Sequence, residues 1–114
     1  MTERQYLDYI QDIVESVNDI KSFVSNMDFN AFCGDKKTIN AVIRSLEVIG
    51  EASTKIPSEI SDRYPAIPWK QMRGMRNKLI HEYFGVDKAI LWQVATDEIP
   101  PLGPIFSEML RTLE

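Results

Sequence analysis

The sequence predicts an all-α fold: an up-and-down bundle of four to five helices, arranged as one domain over residues 1–114. Two observations predict it. Apolar residues recur at three- and four-residue intervals, the period of one buried helical stripe. No segment alternates apolar and polar residues with β-branched enrichment, so strands are not expected.

The first helix is expected from Thr2 to about Ser25. Its stripe is Tyr6, Ile10, Ile13, Val14, Val17, Ile20 and Val24, with Thr2 as a plausible N-cap. Residues 27–35, with Asn30 and Gly34, read as a loop or short turn. A second helix runs from about Lys37 to Lys55 on Ile39, Val42, Ile43, Leu46, Ile49 and Ala52. Gly50 lies inside it, and an interior glycine costs about 1 kcal/mol relative to alanine. A close helix approach is the usual compensation. Pro57 stops the segment, and one or two helical turns follow before Tyr64. Pro68 can open a helix over 69–84, with Gly85 suited to its C-terminal cap. Asp87 can cap the next, over 88–98. Pro100 and Pro101 interrupt the chain before a last helix over 102–113.

Composition narrows the class. Apolar residues make up 44% and charged residues 26%, as in a soluble globular domain. No apolar run approaches the roughly 20 residues needed to span a bilayer. The first residues lack the basic-then-apolar order of a secretion signal, and Cys33 has no partner for a disulfide. A cytoplasmic setting is expected. One cysteine and one histidine cannot build a Cys/His zinc site, so no metal or cofactor is expected. The net charge of −4 argues against coating nucleic acid through a bulk positive surface. Local charge can still oppose the sum. Lys70, Arg73, Arg76 and Lys78 cluster, whereas the first 30 residues are acid-rich.

The chemistry-bearing residues lie between Arg73 and Phe84. On a helix, with Arg76 at zero, Arg73 falls near ~60°, Asn77 near ~100° and His81 near ~140°. Two arginines, an amide and the only imidazole share less than half the circumference. Such a set suits RNA cleavage without metal. Ribose brings its own nucleophile, the 2′-hydroxyl; histidine moves protons near neutral pH; arginine matches the charge on a pentacoordinate phosphate. Asn77 can orient the imidazole or the phosphate, and two-fold pairing would supply both a base and an acid. A hydrogen-bonded histidine near a helix C-terminus, a solvated basic face and a core tyrosine would satisfy the same spacing.

Arg76-Asn77-x-x-x-His81-x-Tyr83 resembles the R-x(4–6)-H motif of HEPN domains, with the H-x-Y extension of HepT-like toxins. The surroundings are similar too: Arg44-Ser45-Leu46-Glu47-Val48-Ile49-Gly50-Glu51-Ala52, Ile67-Pro68-Trp69 before the motif, and Gly85-Val86-Asp87 after it. The resemblance implies a helical homodimer whose two motifs meet in a cleft. It implies a metal-independent endoribonuclease with Arg76, His81 and Asn77 as catalytic residues. With it Arg73 is expected to bind substrate. The resemblance further implies a toxin–antitoxin system of type VII-like character. The partner would be a minimal nucleotidyltransferase antitoxin that transfers AMP to Tyr83. A different class of function fits the same residues: a non-catalytic dimer that binds nucleotide or RNA and pairs with the transferase. Glu51 is a further candidate for the cleft, with a structural carboxylate as the plainer reading.

Overall fold

A computed structural model describes residues 3–82 and 87–114, with side chains described for 5–75 and 87–114. Among these residues every regular element is helical: α1 (Glu3–Phe23), α2 (Phe29–Cys33), α3 (Lys36–Thr54), α4 (Ser58–Ser61), α5 (Trp69–Glu82), α6 (Lys88–Gln93), a π-helical segment (Val94–Glu98) and α7 (Leu102–Leu113). The four long helices make the predicted bundle. α3 lies between α1 and α5, and α7 packs on α1.

The apolar stripes account for this order. Ile10, Ile13, Val17 and Ile20 of α1 are fully buried. They meet Val42, Leu46 and Ile49 of α3 and Phe106 and Met109 of α7 in one core. Each such side chain contributes about 1.5–3 kcal/mol through burial. Asn26, at φ 64°, turns the chain out of α1 in the left-handed region that asparagine tolerates.

The turn expected at 27–35 contains a helix of its own. Asp28 accepts a hydrogen bond from the Ala31 N–H at 2.8 Å and so caps α2. Phe32 anchors that helix from its inner side, its ring 5.1 Å from Trp92. A five-residue helix is too short to show a period, which is why the sequence read as a loop. Asp35 then caps α3 through the Thr38 N–H and hydroxyl.

The single helix expected over 88–98 is divided. Asp87 caps α6 as predicted, accepting from the Ala89 and Ile90 N–H groups. The last turn then widens, and the Ile99 N–H donates to the Val94 carbonyl five residues back. Pro100 and Pro101 follow directly and offer no N–H to continue an α-helix. The widened turn tucks Ala95 and Ile99 into the core.

Pro68 opens α5 as expected, its carbonyl accepting from the Met72 N–H. The expected Thr2 and Gly85 caps lie outside the described residues. Among the described residues no helix is long and apolar enough to cross a membrane.

Candidate active site

α5 carries the candidate residues. Its N-terminal half is fixed by three contacts made inside the protomer. Trp69 and Met72 are buried, and the Trp69 indole N–H donates to the Tyr64 carbonyl at 3.0 Å. Arg73 makes the third. Its Nε–H donates to the Ser53 carbonyl at 3.3 Å and one Nη–H to the Ser61 Oγ at 3.3 Å. Its guanidinium carbon lies 5.6 Å from the centre of the Trp69 ring. The side chain is half-buried and turned to α3 and α4.

The backbone of α5 continues through Arg76, Asn77 and His81 to Glu82, so these three positions share one helix as expected. Helix periodicity brings position 81 to within ~20° of Lys70 and Gly74, both on the exposed side of α5. Position 76 follows the Trp69 line, within ~20° of it. The side chains of Arg76, Asn77 and His81, and Tyr83 as a whole, lie outside the described residues.

α3 is the floor beside this helix. Ile43, Leu46, Ile49 and Gly50 are buried, and α3 packs along α5. On its far side, α3 and α1 enclose a groove of about 460 Å³. Tyr9 and Asp12 line it from α1; Arg44, Glu47, Val48 and Glu51 line it from α3. Arg44 and Glu47 form an exposed pair at 3.4 Å. The Asp12 carboxyl is pushed above its ordinary range, by partial burial first and then by Glu15 and Asp8. Glu51, singled out for a cleft, lies half-buried in this groove.

Ser53 and Ser61 went unnoticed in the sequence. Both are buried and both serve Arg73. Serines carry no periodic signal, and only the fold brings residues 53, 61 and 73 together. Among the described residues, no group of three or more His, Cys, Asp and Glu side chains is disposed to hold a metal ion.

The family described as "Ribonuclease HepT-like" matches residues 13–109. The chain is 46% identical over 109 residues to the probable ribonuclease HepT of Thermococcus cleftensis, covering 96% of this chain and 99% of that one. Two proteins of Methanocaldococcus jannaschii, named as candidate RNases, are 44% and 45% identical over 114 residues. Both matches span all of this chain, and 94% and 98% of the relatives. No solved structure matches the chain.

Proposed function

Because this chain belongs to the HepT-like ribonuclease family, we propose that it is the toxin of a toxin–antitoxin pair, cutting RNA at a site built from Arg76, Asn77 and His81. The observation that carries the reading is the string Arg76-Asn77-x-x-x-His81, set on one α-helix in a chain of ribonuclease descent. Histidine is the side chain that exchanges protons near neutral pH, and this chain has one.

In the proposed reaction the ribose 2′-oxygen attacks phosphorus while an imidazole takes its proton. The bond from phosphorus to the 5′-oxygen breaks, and a protonated imidazole supplies that oxygen with a proton. The products are a 2′,3′-cyclic phosphate and a 5′-hydroxyl. Arg76 stabilises the added charge on the phosphate, and Asn77 orients the imidazole or the phosphate. A single histidine cannot be base and acid at once, so the scheme calls for two protomers with their motifs facing one cleft. RNA is the substrate because the nucleophile is the 2′-hydroxyl, and no metal is required.

The proposed antitoxin is a minimal nucleotidyltransferase. The Tyr83 phenol oxygen would attack the α-phosphorus of ATP and release pyrophosphate. The resulting AMP places bulk and negative charge two residues from His81. The pair would act in the cytoplasm.

Expression of the chain alone, with and without the transferase, tests the reading. Growth arrest is expected from the wild type and is expected to vanish in Arg76→Ala and His81→Ala. Co-expression should relieve the arrest and add the mass of AMP to the Tyr83 peptide. Full toxicity in His81→Ala, or nucleotide binding with RNA left intact, would favour a binding module.

A further inference from the structure

We propose that Arg73 is a positioning residue: it sets the rotation of α5 and thereby aims Arg76 and His81, rather than holding a substrate phosphate. This rests on the reading above only in taking those two residues as the reacting groups.

Three elements converge on one guanidinium. The Ser53 carbonyl belongs to the last turn of α3, where carbonyls lack intrahelical donors. The Ile56 N–H reaches it at 3.4 Å, and the Lys55 N–H is shared between it and the Ala52 carbonyl. Arg73 Nε–H completes it at 3.3 Å and brings positive charge to the negative end of the α3 dipole. One Nη–H reaches Ser61 Oγ on α4, and the plane lies near Trp69 of α5. Ser53 is fully buried and Ser61 is 4% exposed, so both acceptors sit in fixed surroundings. Arginine suits this task because its planar fork addresses two acceptors at a set angle; lysine offers a point charge on a mobile stem.

The lever is short. Arg73 precedes Arg76 by less than a turn and His81 by about 12 Å of helix rise. A ~20° roll of α5 displaces a side-chain tip ~6 Å from the axis by ~2 Å. A misplacement of ~1 Å can cost ~10²-fold in rate. The same contacts engage two of the five N–H donors of Arg73 and turn its fork toward α3 and α4.

Arg73→Lys, Ser61→Ala, the double variant of these two, and the charge-removing Arg73→Gln test this in the full-length chain. Ser61→Ala removes an acceptor without changing any charge on α5. Two readouts apply: kcat and KM on a short RNA across salt concentrations, and the imidazole ¹H–¹⁵N spectrum of the chain's one histidine. Arg73→Lys should lower kcat about tenfold with KM unchanged. Ser61→Ala should lower kcat in the same sense by a smaller factor, and the double variant should be no worse than Arg73→Lys. Both single variants should move the His81 imidazole signals. A raised KM in Arg73→Gln, with the salt slope falling by about one and Ser61→Ala silent, would make Arg73 a phosphate ligand and overturn the proposal. Lowered melting temperature with kcat and imidazole signals unchanged would overturn it too. If the wild type cuts no RNA, the ribonuclease reading fails separately, and the imidazole spectra still decide the role of Arg73.

Discussion

The indole of Trp69 stands edge-on against the ring of Phe106, with centroids 5.6 Å apart and planes at 86°. This contact ties the first residue of the motif helix to the middle of α7. Phe106 is fully buried. Phe106→Ala should therefore cost about 3–5 kcal/mol, the range for emptying an aromatic site in a core. Phe106→Leu should cost less, losing chiefly the ring pair at about 0.5–1.5 kcal/mol. Urea unfolding of both variants measures this, and a Phe106→Leu protein as stable as the wild type would show that the edge-to-face geometry contributes nothing.

Two glycines should respond with opposite signs. A Cβ on Gly74 would meet nothing within 4 Å. Gly74→Ala should raise stability by about 0.5–1 kcal/mol, the usual relief of an interior helical glycine. A Cβ on Gly103 would lie 3.3 Å from Val17 Cγ1. Val17 is fully buried and stiff at χ1, so it cannot yield cheaply. Gly103→Ala should destabilise by about 1 kcal/mol or more. Thermal unfolding of the pair in one buffer gives both signs at once. A stabilised Gly74→Ala protein with reduced RNA cleavage would mark the open face of α5 as approached by RNA or by a second copy.

Two aspartates should move stability in opposite directions with pH. Partial burial, with Glu15 and Asp8 nearby, raises the Asp12 carboxyl above 3.8. The folded state therefore binds its proton more readily than the unfolded chain does. The stability Asp12 contributes is present below the unfolded value and is lost as pH rises through the folded one. Asp12→Asn should stabilise the protein at neutral pH, and the gain should vanish in acid. Asp35 is the reverse case. The Thr38 N–H, then the Thr38 hydroxyl, hold its carboxyl below 3.8. Its contribution is present above the unfolded value and is lost as pH falls through the folded one. Asp35→Ala should be destabilised at neutral pH, with the difference closing in acid. Denaturation midpoints from pH 2 to 7 measure both; parallel curves for wild type and variants would contradict the assignments.

The long helices were legible because their stripes are long: Ile10 through Ile20 and Val42 through Ile49 each cover several turns and are buried as the spacing implies. The Asp87 cap was equally legible, because it stands directly before the next apolar segment. α2 was not, since Asp28 and Phe32 hold five residues that carry no period. The widened turn at Val94–Glu98 was hidden because a π-turn needs no special residue; only the proline pair after it hints at the break. At the site, the motif could be read as letters on one helix. The task of Arg73 could not, because it depends on Ser53 and Ser61, which reach it across the fold.

The most direct measurement of the central claim is cleavage of a short labelled RNA by the purified chain in excess chelator, with product ends identified by mass. The account predicts cutting without metal, 2′,3′-cyclic phosphate ends, and a fall of about 10²–10⁴-fold in His81→Ala. Undiminished cutting by His81→Ala, or an RNA left whole by the wild type, would contradict it.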